Sequence, residues 1–286
     1  MKKKIALVLE GGGMRGAYTA GCLSWLLHQN LEFDYHYGIS TGAVHLCSFL
    51  LKQERYLKEL STHYIVHKNV VGIRPFFREG SIVGYNYLFD ELLPNIYHFD
   101  NERLLSVAQN TNAKIGIYDL DICKTIYKDV KDIDVEMQYL KAAATLPVIG
   151  KIVKIDNHQY LDGGITDMIP IQEAIKDGCD KFLVITTKPE GYVRKAAGKF
   201  LTTAMRCAYP KHKQIYEDYK ARHRNYNQQI ELIQSKVNEG VATYCFPSQN
   251  PKVSRIRGNE KDLLELYELG IKDCEARKEE ILKLFS

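Results

Sequence analysis

The 286-residue chain has no run of 18 or more apolar residues, so no bilayer-spanning helix is expected. Its seven cysteines (Cys22, Cys47, Cys123, Cys179, Cys207, Cys245, Cys274) include no C-x-x-C pair. Neither a disulfide framework nor a thiolate zinc site follows from thiols so scattered. Buried free thiols are the expectation. No spacing of His, Asp and Glu marks a metal centre, so no metal and no cofactor is expected. No internal repeat and no low-complexity linker breaks the chain. No leader segment is expected either. Met1-Lys2-Lys3-Lys4 carries the right charge, but the apolar run Ile5 to Leu9 stops at Glu10 and a glycine turn. It is too short for a secretory core and has no small-residue cleavage site. The chain is expected to remain in the cytosol.

The composition is that of an ordinary globular protein, 45% hydrophobic and 26% charged with a net charge of +4. Its length suits one substantial core plus a helical appendage. Ile5 to Leu9 reads as a buried strand and Ala17 to Leu27 as a helix, with Ala20, Leu23, Leu26 and Leu27 at helical spacing. Tyr35 to Ile39 reads as a second strand, followed by a helix over Ala43 to Leu51. Ala113 to Tyr118, Thr125 to Lys128 and Phe182 to Thr186 read as further strands, and Gln138 to Thr145 as a short helix stopped by Pro147. This alternation predicts an α/β fold, an open, mainly parallel sheet with helices on both faces, over residues 1–190. Residues 191–286 are expected to form a helical, basic region packed on it, with one strand near Gly240 to Phe246.

Chemistry concentrates in three places. Gly38-Ile39-Ser40-Thr41-Gly42 is a G-x-S-x-G sequence between an apolar run and a helix-like one. That is the pattern of a nucleophile elbow, where a sharp strand-to-helix turn lifts the serine out. Side chains at Gly38 or Gly42 would collide with the backbone folding back beside Ser40. Upstream, Gly11-Gly12-Gly13-Met14-Arg15-Gly16 joins the first strand to the first helix. Bare amides at a helix start can hold a developing oxyanion or a phosphate. Gly11, Gly13 and Gly16 also satisfy the dinucleotide pattern G-x-G-x-x-G. However, Asp34 precedes the second strand instead of closing it, and Glu10 would stand beside a pyrophosphate. Downstream lies Asp162-Gly163-Gly164, where Asp-Gly alone would read as a simple turn.

In that order these three motifs resemble the patatin-like phospholipases, over about the first two-thirds of the chain. Thr187 to Tyr192 and Leu266 to Gly270 look similar to a bacterial subgroup of that family. The resemblance implies a lipid acyl hydrolase with a Ser–Asp dyad, Ser40 as nucleophile and Asp162 as base. It further implies an oxyanion hole from the amides of Gly11, Gly12 and Gly13, supported by Arg15, with Gly16, Gly38, Thr41, Gly42, Gly163 and Gly164 shaping the turns. Thr41 can add its own amide, as the residue after the nucleophile does in many elbow enzymes. The substrate is expected to be a lipid or other acyl ester.

Two other readings stay open at this level. One is a nucleotide-binding α/β protein using the Gly11–Gly16 loop, separable by thermal shift with nucleotides and by serine-directed labelling. The other is a hydrolase-like scaffold that binds lipid without turnover, separable by burst release from a nitrophenyl ester. Histidine is the usual partner of serine, yet none sits in a comparable turn. His45, five residues after Ser40, is expected to point away from the elbow, and His158 to lie near its mouth. From Tyr192 to Lys236 there are ten Lys/Arg against three Asp/Glu. This segment reads either as a solvated helical surface or as a face meeting anionic membrane, with Tyr209, Tyr216, Tyr219 and Tyr226 at the interface. No recognised nucleic-acid module accompanies the charge, so nucleic acid is not an expected partner.

Overall fold

In the computed structural model, which describes residues 3–286, strands and helices alternate as the sequence predicts. β1 (Ile5–Leu9) runs through the glycine turn into α1 (Gly16–Leu27), and β2 (Tyr35–Ile39) into α2 (Thr41–Leu50). Next come α3 (Glu54–Thr62), α4 (Ile73–Glu79), a π-helical stretch over Tyr87–Ile96 and α5 (Asn101–Ala108). The middle of the chain holds β3 (Asn112–Asp119), β4 (Lys124–Asp129), α6 (Gln138–Ala144), β5 (Val153–Ile155) and β6 (His158–Asp162). The remainder is α7 (Ile171–Lys176), β7 (Lys181–Ile185), α8 (Lys199–Ala208), α9 (Lys213–Asn238), β8 (Ala242–Cys245), α10 (Glu260–Ala276) and α11 (Lys278–Lys283).

The sheet runs in the order β5-β6-β3-β2-β1-β7-β8, with β4 also paired to β3. Its centre, from β3 to β8, is parallel, while β4, β5 and β6 add antiparallel pairs at one end. β1 is fully buried, because both of its faces are covered. Leu7 and Leu9 pack towards α1, α2 and α10, and Ala6 and Val8 towards Ile171, Tyr226 and Ile233 of α7 and α9. The period of two along the strand thus assigns alternate residues to two separate cores. Each large apolar side chain so buried contributes about 1.5–3 kcal/mol relative to exposure.

The C-terminal region is joined to this frame by more than helices. β8 extends the sheet in parallel beside β7. α10 lies on α1 at backbone contact. A side chain at Gly21 would run into the Tyr267 carbonyl, and one at Gly270 into that of Tyr18. Trp25 Nε1 donates to Glu275 Oε2 at 2.7 Å, and the Ser24 and Tyr267 hydroxyls lie 2.5 Å apart.

One expectation changes here. Tyr209, Tyr219 and Tyr226 are buried and Tyr216 is half-buried, so these tyrosines do not form an interfacial belt. α8 and α9 turn them inward to fill clusters against the α/β frame. The large exposed apolar side chains of residues 192–236 are Val193 and Phe200, and a further group, Ile73 75%, Phe76 54% and Phe77 81% exposed, lies on α4. Among the described residues no helix is long and apolar enough to cross a membrane. Five of the seven thiols are buried, Cys123 is half-buried and Cys207 is exposed.

Candidate active site

Ser40 occupies the turn between β2 and α2 with φ 57° and ψ −128°, a left-handed backbone that a residue with a side chain rarely adopts. The neighbouring glycines make this turn possible. A Cβ at Gly38 would come within 2.7 Å of Ala43 backbone, and one at Gly42 within 2.8 Å of the Leu9 and Glu10 carbonyls. Ser40 is 6% exposed, and it lines a cavity of about 80 Å³. The cavity is mostly apolar, with walls that include Ala17, Val44, Leu60, Leu88, Leu93 and Leu146.

β3 brings the aspartate to the serine. It pairs with β2 as far as Gly116, opposite Ile39, and with the end of β6 from Ile117, opposite Asp162. β4 occupies the other edge of β3, so β2 and β6 follow one another along a single edge. The Ser40 hydroxyl lies near enough to the Asp162 carboxylate to favour its charged form. Oδ1 of Asp162 also accepts the Gly164 amide at 2.7 Å. Asp162 is 2% exposed. Burial pushes its pKa above the usual carboxylate range, while Ser40, the bond from Gly164 and the charges of Arg222 and Arg255 pull it down. Gly163 lets the backbone pass over β3, where a Cβ would meet the Gly116 carbonyl group at 2.7 Å.

The glycine loop lies against the elbow. A Cβ at Gly11 would stand 2.7 Å from that of Ser40, and one at Gly16 would stand 2.9 Å from Thr41 Oγ1. The amides expected to form an oxyanion hole are only partly available. Gly11 donates to the Met168 carbonyl at 3.2 Å and Gly12 to Thr41 Oγ1 at 3.2 Å, so both hold the loop in shape. Gly13 and Thr41 line the cavity, and among the described residues no acceptor takes either amide. Arg15 is buried behind the loop. Desolvation lowers its pKa, with Glu10 opposing that shift and Arg255 and Arg194 adding to it.

The histidines fall otherwise than expected. His45 does not point away, since it lines the same cavity as Ser40. It is fully enclosed, and burial lowers its pKa to about 4, which keeps it neutral. His158 is not at the mouth. It sits on β6 beside Asp119 and Asp121, 3.4 and 3.7 Å from their carboxylates. These three side chains gather their ligand-capable atoms within 4.8 Å, a proximity that the sequence spacing concealed. Their carboxylates already accept the amides of Asp121, Ile122 and Gln159. Sequence reasoning missed Arg222 and Arg255 altogether, as neither lies in a motif.

Residues 7–175 match the family model described as patatin-like phospholipase, and residues 212–286 match one described as a domain of unknown function. The chain is 28% identical over 189 residues to the uncharacterized protein YjjU of Escherichia coli (strain K12), covering 65% of this chain and 52% of that protein. It is also 28% identical over 185 residues to the probable lipid hydrolase 463L of Invertebrate iridescent virus 6, covering 59% of this chain and 63% of that one. The chain therefore spans less than two-thirds of the length of these relatives. The crystal structure of VipD from Legionella pneumophila aligns with a TM-score of 0.46 at 10% identity, covering 100% of this chain and 67% of that one.

Proposed function

The chain belongs to the patatin-like phospholipase family, and on that premise we propose that it cleaves carboxylic esters of lipids through an acyl-enzyme on Ser40. The observation that carries this reading is the register of β3, which places Ser40, held at φ 57°, beside the buried Asp162. As the Ser40 oxygen attacks the ester carbonyl carbon, its proton passes to Asp162. Negative charge develops on the carbonyl oxygen, facing the amides of Gly13 and Thr41. Collapse of this intermediate expels the alcohol, which takes the proton from Asp162, and leaves an acyl-serine. Water, deprotonated by Asp162, then releases the fatty acid and restores the serine hydroxyl. Because a carboxylate is a weak base near pKa 4, the raised pKa of Asp162 supports this role. The apolar cavity beside Ser40 suits an acyl chain.

The ester is drawn from a lipid surface, and the face that meets this surface is the exposed side of α4. Val71 and Val83 pair across the base of that segment and line the Ser40 cavity. Between them Ile73, Phe76 and Phe77 project outward beside Arg74 and Arg78. The one acid among residues 63–89, Glu79, is buried, ion-paired with Arg78 at 2.5 Å and bonded to the amides of Asn86 and Tyr87. Exposed apolar side chains beside Arg74 suit an interface with anionic lipid.

The test is labelling with a fluorophosphonate, followed by mapping of the modified peptide by mass spectrometry. The adduct is expected on Ser40, with loss of turnover of a medium-chain nitrophenyl ester in proportion to labelling. Absence of an adduct, or an adduct on another residue, would overturn the assignment.

A further inference from the structure

Lys188, Arg194, Arg222 and Arg255 all lie beyond residues 7–175, the span that matches the patatin-like model, yet their charges act on one another and on Arg15 of the glycine loop or on Asp162. Arg255 lines the Ser40 cavity, and its carbonyl accepts the Met14 amide at 3.0 Å. Arg222 Nε donates to the Gly164 carbonyl at 2.5 Å, two residues from Asp162. Arg194 stacks over the Tyr226 ring at 4.4 Å, and Lys188 Nζ lies 4.5 Å from the centre of Tyr192. Arg15, 7% exposed, completes the group from the glycine loop.

These cations repel one another. Burial lowers the pKa of Arg222 to about 10, and the charges of Arg255 and Arg194 add to the effect. Burial likewise lowers Lys188 to about 8, with Arg15 the largest charge acting on it. Two carboxylates face the five cations, Glu10 and Asp162. Glu10 Oε2 accepts the amide and hydroxyl of Thr187 while its Oε1 is buried without a hydrogen-bond partner, and Asp162 Oδ1 accepts the Gly164 amide. Among the described residues none of the five cations forms an ion pair. The Nε atoms of Arg15 and Arg194 are buried without a hydrogen-bond partner. Unpaired guanidinium groups withdrawn from water are costly, and a phosphate or carboxylate offers the paired oxygens that their planar forks match.

We propose that Arg15, Lys188, Arg194, Arg222 and Arg255 form a binding site for the anionic headgroup, a phosphate, of the lipid whose ester reaches Ser40. The site rests on the Ser40 reading only for the placing of the ester. It gives the C-terminal region a role in substrate choice.

Binding is measured by calorimetry on the full chain carrying Ser40→Ala, so that no turnover intervenes. Octyl phosphate, octyl glucoside and inorganic phosphate serve as three probes. Octyl phosphate is expected to bind at least tenfold more tightly than either of the others. Arg194→Gln and Arg255→Gln are each expected to weaken it at least tenfold. Arg194 is half-buried on the segment before α8, which makes it the substitution least tied to the fold. Equal binding of octyl glucoside, or undiminished octyl phosphate binding in both variants, overturns the proposal. Inorganic phosphate binding as tightly as octyl phosphate identifies a free-anion site and overturns the headgroup assignment. In the active chain, the ratio of kcat/KM for an anionic ester to that for a neutral one should fall at least tenfold in Arg194→Gln. Octyl phosphate binding in a chain that turns over no ester sinks the hydrolase reading alone. Turnover of neutral esters without octyl phosphate binding sinks the headgroup site alone.

Discussion

Ile39 and Asp162 stand opposite consecutive residues of one strand, Gly116 and Ile117. The register of β3 therefore sets the distance between the serine after Ile39 and the aspartate, although they are far apart in sequence. A register error of one residue would reverse which face each side chain meets, so the pair is as well determined as the central sheet itself.

Asp162→Asn keeps the shape and the bond from the Gly164 amide but cannot accept a proton. It is expected to lower kcat by at least about 1,000-fold, close to the effect of Ser40→Ala. His45→Gln and His158→Gln are expected to stay within about tenfold of the parent. Steady-state kinetics on purified, monodisperse variants checks this. A histidine variant as inactive as Ser40→Ala would replace the dyad by a triad.

The acid limb of kcat/KM is expected to lie above the ordinary aspartate value, because burial raises the Asp162 pKa and the base must be ionised to act. Arg222 opposes that rise. Arg222→Gln should therefore move the limb to still higher pH, whereas a purely structural arginine would lower activity without moving it. A pH–rate profile of both proteins decides.

Ser40→Gly is expected to be inactive and yet more stable than Ser40→Ala by about 1 kcal/mol. Glycine adopts φ 57° without the strain that any Cβ meets there. Denaturant midpoints of the two variants give the comparison. Equal midpoints would mean that the surrounding contacts absorb the strain.

Phe76→Ser with Phe77→Ser is expected to reduce binding to phosphatidylglycerol vesicles at least tenfold, while leaving turnover of a soluble short-chain ester within about threefold. Both rings face solvent, so removing them should cost the fold little. Vesicle sedimentation measures the first quantity and nitrophenyl butyrate turnover the second. Unaltered vesicle binding would assign the membrane contact to another face.

Much of the site was legible because it rests on local steric rules. Gly38 and Gly42 announce the elbow, and Asp162-Gly163-Gly164 announces a turn that must pass close to backbone. The strands were readable for a similar reason, since β1 and β7 are continuous apolar runs. Other features had no local signal. The region from α3 to the π-helical stretch is built of short, irregular turns, so a lid and a plain loop look alike in sequence. The availability of the Gly11 and Gly12 amides depends on Met168 and on the rotamer of Thr41. Arg255 sits in an irregular segment before α10, and only tertiary structure brings it to Ser40. The tyrosines of α9 misled because amphipathic side chains serve a membrane belt and a packed core equally well.

The seating of α10 on α1 has a consequence for how the protein is made. Gly21 and Cys22 leave the ribosome well before their partners Tyr267 and Gly270. During most of synthesis α1 therefore has an uncovered groove and β7 an unpaired edge. The surface that α10 covers on α1 can be closed only after the later segments are made.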